Sequence, residues 1–212
     1  MKKNKLLIAL SIAACSGVTM ADDKIDYSFG LKSWNHKLKD DVTTQNTSAT
    51  ILSATVKKGN YFVATSFFMP TTYGLSSTAY SVRKDTDLAF GYSINPNISA
   101  LIGTKRLSVD HSASSDTTLN VTYIGANGFT SIGEQTFLFG QLTRSLNTKE
   151  STVGYTYPAG YKSTYSSLEA GLGYVLNKNT QITGGYRKQI FNPNVGSGTA
   201  LSGIIFGISI TP

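Results

Sequence analysis

Cysteine is nearly absent: the chain of 212 residues has one, Cys15. It falls inside the N-terminal apolar stretch, so the chain beyond it carries no disulfide framework, no thiolate nucleophile and no cysteine-ligated metal. Charge is scarce as well, at 15% of residues against the ~25% usual for soluble domains. The formal net charge of +7 falls to +4 once Lys2, Lys3 and Lys5 are set aside. That is too small and too scattered to mark a nucleic-acid partner. Histidine occurs twice and proline five times. Beyond the first 21 residues no apolar run is long enough for a membrane helix, and no apolar stripe of period 3.6 reaches helical length.

The N-terminus reads as an export signal. Lys2, Lys3 and Lys5 precede the apolar run Leu6 to Cys15, and Val18-Thr19-Met20-Ala21 supplies small residues before Asp22-Asp23. A charged segment, a short apolar core and a small residue at the cut are the parts of a secretory signal peptide. Residues 1–21 are therefore expected to be removed after Ala21, leaving 22–212 as one domain. Ile12-Ala13-Ala14-Cys15 carries a second reading, in which the cysteine is lipidated instead.

What the chain has in quantity is period-two alternation. Leu88, Phe90, Tyr92 and Ile94 stand at every second position before Asn95-Pro96-Asn97, and Ile98, Ala100, Ile102 and Thr104 do so after it. The same alternation begins at Ile25, Thr50, Tyr61, Leu119, Gln135, Leu168, Ile182 and Ile204, which predicts ten strands, with eight to twelve compatible. Connections alternate in length. Lys58-Gly59, Asn95-Pro96-Asn97 and Asn177-Lys178-Asn179 read as tight turns, and Ala126 to Glu134 as a moderate one. Asn35–Ser48, Pro70–Thr86, Ser108–Thr117, Arg144–Thr164 and Gln189–Thr199 read as long polar loops, and all five prolines fall outside the assigned strands.

Alternation leaves open whether the apolar face meets lipid or a soluble core, and three features favour lipid. The polar face is rich in Gly, Ser and Thr, not in the Lys and Glu of a water-washed surface. Tyr27, Tyr61, Tyr92, Tyr123 and Tyr174 all fall on apolar faces near one end of their strands, as an interfacial girdle requires; Trp34, Phe67 and Tyr186 suggest a sparser girdle at the other. Finally, three-residue hairpin loops place Asp87 opposite Lys105 and Glu169 opposite Arg187 on the polar face, where opposite charges support each other.

With its export signal and ten alternating strands from Lys24 to Thr211, the chain resembles the outer-membrane β-barrel proteins of Gram-negative bacteria. The resemblance implies an all-β, up-and-down antiparallel barrel in the cell outer membrane, with short periplasmic turns and long extracellular loops. It further implies contact with outer-membrane lipid and lipopolysaccharide, and with the barrel-assembly machinery during biogenesis. One departure stands at Pro212, where such proteins carry a terminal aromatic residue.

Expectations for function rest on the two faces. The residues expected to line the lumen are Asp26, Lys32, Asp87, Lys105, Glu169 and Arg187, with Gly91, Gly103, Gly171 and Gly185 leaving space. A barrel of this size is usually filled by side chains, so the first expectation is a passive narrow pore or a structural barrel with a filled lumen. The alternative is an adhesin or receptor using the tyrosines of Arg144–Thr164. A rim enzyme acting on lipid A or on proteins is the third, because Asp110-His111-Ser112 with Asp116 has hydrolytic residue types. His36 and His111 both read as loop residues, however, and sequence neighbours rarely build a triad. No catalytic residue, metal site or cofactor is expected; Asp40-Asp41 alone is too few oxygen ligands for a cation.

Overall fold

A computed structural model describes residues 25–39, 44–74, 80–112, 116–196 and 198–212. The signal peptide, Cys15, the cut after Ala21 and Asp40-Asp41 lie outside these residues. Ten strands account for nearly everything described: β1 (Ile25–Lys39), β2 (Thr44–Lys58), β3 (Tyr61–Gly74), β4 (Tyr80–Asn95), β5 (Ile98–His111), β6 (Thr117–Ser131), β7 (Thr136–Thr152), β8 (Ser163–Asn177), β9 (Thr180–Pro193) and β10 (Thr199–Ile210). Every neighbouring pair is antiparallel, and β1 pairs with β10, so the sheet closes on itself. Closure removes the free edges that lipid cannot hydrate.

Alternation sorts the side chains into two surfaces. The outer one carries Phe29, Leu31, Leu88, Phe90, Leu172 and Phe206, with others like them, each roughly half exposed. On β8 this apolar run extends from Leu168 to Leu176, which for a strand tilted near 40° is a band of about 20 Å. The inner surface is packed in patches. Trp34, Ile51, Phe68 and Tyr73 gather in one, Leu107, Leu119, Val121 and Tyr165 in a second, and Phe137, Phe139 and Val175 in a third.

Strand length is the first correction to the sequence reading. The strands run from 12 to 17 residues, longer than the ~9–11 that a membrane crossing needs, and take in much of what read as loop. Most of the stretches expected to be long loops are strand extensions beyond the apolar band. Only Val153 to Lys162, between β7 and β8, remains a long described connection. Proline is the second correction. Pro70 lies within β3 and Pro193 ends β9. Pro70 is tolerated because the ladder from Phe68 to Thr71 skips one residue against β4, a bulge where a missing N–H costs little.

The tight turns reflect their residues. Gly59 adopts a φ of 58° between β2 and β3, a left-handed value that a side chain disfavours. Asn95 Oδ1 accepts the backbone N–H groups of Asn97 and Ile98, both at 2.9 Å. The β4–β5 turn is one residue tighter than expected, and so is β8–β9: Asn95, not Ile94, stands opposite Ile98, and Asn177, not Leu176, opposite Thr180. Ser93 still faces Ser99, so the register below the turn is the expected one.

Three inward rings lie over glycines of a neighbouring strand. Phe62 covers Gly91, Tyr123 covers Gly103 and Phe137 covers Gly173, each directly opposite in register. A Cβ at Gly91 or Gly173 would overlap the ring itself. These glycines therefore do not open the lumen; they admit the rings that fill it.

Candidate functional site

The lumen at mid-height is where the charged side chains converge. Period two aims Arg83, Asp85 and Asp87 of β4 inward together, with Lys105 of β5, Glu169 of β8, Arg187 of β9 and Lys32 of β1. Arg83 grips Asp85 through two hydrogen bonds of 2.8 and 2.5 Å and donates a third, at 2.9 Å, to Gln189 Oε1. Its guanidinium is sandwiched between Phe68 and Phe191, at 4.9 and 5.5 Å from the ring centres. Lys105 Nζ bridges Asp87 at 2.9 Å and Asp85 at 3.6 Å, and the Tyr123 hydroxyl donates to Asp87. On the far wall Lys32 Nζ sits 2.5 Å from Glu169 Oε1, with Arg187 at 3.6 Å from Oε2. All but Asp87 and Arg187 are buried.

The two expected cross-strand pairs are therefore opposite in register, Asp87 with Lys105 and Glu169 with Arg187. Glu169 nonetheless spends its shortest contact on Lys32, from a strand that alternation could not rank as its neighbour. Asp26 stands apart near the start of β1, opposite Lys57.

Below this layer the chain of Phe129, Phe137 and Phe139 rings, with successive centres 6.5 Å apart, occupies the end of the barrel near the tight turns. Between the two layers is a chamber of about 50 Å³ whose walls include Lys32, Asp87, Tyr123, Glu169 and Arg187. Gln141, Thr143 and Ser167 add uncharged polar groups. Among the described residues no three His, Cys, Asp or Glu side chains come together as a metal site.

The tyrosine girdle divides. Tyr27, Tyr61, Tyr92 and Tyr174 face outward near the tight-turn end, and Tyr61 and Tyr92 touch with ring centres 5.1 Å apart. Tyr123 is a correction, because it is buried in the lumen. Strand β6 turns its apolar set, Leu119, Val121 and Tyr123, inward against Leu101 and Leu107, and shows Asn120 and Thr122 outside. Trp34 is corrected likewise: it is wholly buried inside and stacks on His36 at 4.2 Å.

The histidines are strand residues, not loop residues. His36 Nδ1 donates to the Trp34 carbonyl at 3.0 Å, leaving Nε2 to accept the Tyr73 hydroxyl at 2.7 Å. His111 Nδ1 pairs with Ser81 Oγ at 2.8 Å. Asp110 points to the outer face and meets Lys84 at 3.1 Å, while Asp116 accepts the backbone N–H of His111. The suspected hydrolytic residues thus diverge across the wall.

Arg83, Asp85, Gln189 and Tyr165 were missed by sequence reasoning. The alternation Arg83-x-Asp85-x-Asp87 was the available signal, hidden because Pro70–Thr86 read as loop. A second cluster stands beyond the barrel. Tyr157 and Tyr161 stack at 4.3 Å and donate to the two oxygens of Glu150 at 2.8 and 2.7 Å, with Tyr155 edge-on at 5.0 Å from Tyr157. Burial first, and the bonds to Glu150 after it, raise the pKa of both phenols.

No known family profile matches the chain, and no curated sequence does. Solved structures do align with the chain. The outer membrane protease OmpT from Escherichia coli aligns at 12% identity over 92% of this chain and 99% of that one, with a TM-score of 0.55. The translocator domain of autotransporter NalP from Neisseria meningitidis aligns at 10% identity over 90% and 89%, TM-score 0.46. Neisserial surface protein A aligns at 12% identity over 87% and 96%, TM-score 0.43. The likeness to OmpT, at this identity, is one of fold: a closed, ten-stranded, up-and-down barrel of the outer-membrane kind.

Proposed function

We propose that this chain is exported through its N-terminal signal and works in the outer membrane as a non-enzymatic barrel whose filled lumen passes small ions only when its ion-pair layer rearranges. The observation that carries the reading is the run Arg83–Asp85–Lys105–Asp87, which joins one wall of the lumen across mid-height while Lys32–Glu169 ties β1 to β8. Breaking such buried pairs leaves charges uncompensated, so the closed arrangement is the favoured one. The divergence of Asp110 and His111 supports a role without catalysis. Outside, Lys37, Lys84, Arg106 and Lys188 are exposed beyond the apolar residues of their strands on the side away from the tight turns. Cations at that level suit the anionic headgroups of lipopolysaccharide.

Single-channel recording of the refolded barrel in a planar bilayer tests this, with Glu169→Gln beside the parent. The parent should show rare, small openings and the variant more frequent ones with altered ion selectivity. Large, steady conductance from the parent would overturn the reading. Silence from both would leave a purely structural barrel.

The tyrosine cluster favours a second reading, a surface-contact protein. Aromatic side chains held on Glu150 form an ordered contact surface. Replacing Val153 to Lys162 by a short turn would then abolish cell or matrix attachment while leaving the barrel folded.

A further inference from the structure

The charges of the lumen fall into two groups with different sums. In the run Arg83, Asp85, Lys105 and Asp87, two cations meet two carboxylates. In the triad Lys32, Glu169 and Arg187, two cations share one carboxylate. The sharing is uneven. Lys32 holds its oxygen at 2.5 Å, whereas Arg187 reaches the other only at 3.6 Å. Arg187 Nε is buried and has no hydrogen-bond partner among the described residues. The Trp34 ring, 5.1 Å away, offers the guanidinium a π face but no acceptor, and Trp34 Nε1 is itself an unpartnered buried donor. The triad is left with one unit of positive charge in excess and donors to spare, and both are costly inside a protein.

All three members of the triad line the mid-lumen chamber of about 50 Å³. A single water-sized occupant needs only ~10–15 Å³ on this measure, so there is room for a small ion with part of its hydration shell. We propose that the chamber is a binding site for a small inorganic monovalent anion, of chloride or bromide size, held between Arg187 and Lys32. Such an ion cancels the excess charge and accepts the hydrogen bonds that Glu169 leaves unanswered. Asp87 and Glu169 on the same walls disfavour a second negative charge, which selects against divalent oxyanions.

The full barrel, refolded in detergent micelles, is unfolded with urea at constant ionic strength while gluconate is exchanged for bromide. Bromide should raise the parent's folded-to-unfolded ratio, roughly tenfold once it reaches ten times its dissociation constant. Arg187→Gln and Lys32→Gln each make the triad neutral, and either one should lose the increase. Crystals grown in bromide should show an anomalous peak within hydrogen-bond reach of the Arg187 guanidinium, a readout that stands even where a variant does not fold. A parent indifferent to the exchange, or variants that respond as strongly as the parent, would overturn the proposal. So would bromide peaks confined to the outer surface.

Discussion

At the scale of single residues, the lumen is a set of fits that one atom can spoil. Gly91→Ala places a methyl into the Phe62 ring and Gly173→Ala one into the Phe137 ring, so each should cost about 1–3 kcal/mol, the usual range for overpacking. Gly133→Ala, whose added Cβ meets nothing nearer than 3.9 Å, should stay within ~0.5 kcal/mol of the parent. Urea midpoints of the refolded variants check both. Asp85→Asn leaves Arg83 between its two rings without a carboxylate, and should cost roughly 3–5 kcal/mol as a broken buried pair. Trp34, the single tryptophan, faces inward, so lipids brominated on the acyl chain should quench its fluorescence far less than that of Phe206→Trp, whose position is outward. That measurement addresses the residues where the sequence misled. Trp34 stands two residues from Lys32, so the alternation of β1 already aims it inward with the lumen set. Tyr123 belongs to the apolar set of β6, and only its bond to Asp87 and the inward packing of Leu119 and Val121 beside it explain why it turns inward.

Elements were legible where the alternation was apolar and hidden where it was polar. The ten strands could be read from alternation, and the Asp87–Lys105 and Glu169–Arg187 registers agree because an extra residue beside each turn, Ile94 and Leu176, offsets the tighter turn; a one-residue slip would invert every face. The strand extensions could not. Beyond the apolar band the alternation of β1, β4 and β7 thins to isolated apolar residues, Leu38, Val82 and Leu146, so Asn35–Lys39, Tyr80–Thr86 and Ser145–Thr152 resemble loop while continuing the ladder. The Arg83–Asp85 grip went unseen for the same reason. Among the described residues one long loop remains, Val153 to Lys162, and Glu150 organises it. Burial and the bonds to Glu150 keep the Tyr157 and Tyr161 phenols protonated past their ordinary range. Because the packed state raises these pKa values, its stability is fully present below about pH 10, the value for a free phenol, and is lost as pH climbs through the raised values. Protease resistance of the loop should track that course. In Glu150→Gln the phenols should titrate at lower pH, as read by tyrosinate absorbance.

For the whole molecule, the ladder closes only when β1 meets β10. The Lys32–Glu169 contact spans 137 positions of sequence, and β1 and β8 come close enough to make it only as the cylinder forms. Contacts so distant in the chain form late, because the loop they close is large. Folding variants should show the order. Lys32→Met should leave early hairpin formation untouched and slow the last phase, seen as delayed appearance of the heat-resistant compact band on gels. The same geometry bears on the fate of an incomplete chain. A polypeptide released before β10 is made has no partner for the first strand, and its Lys32 and Glu169 stay solvated on separate arms. Such a fragment has nothing to close on and keeps two bare edges, so added protease should digest it under conditions that spare the full barrel.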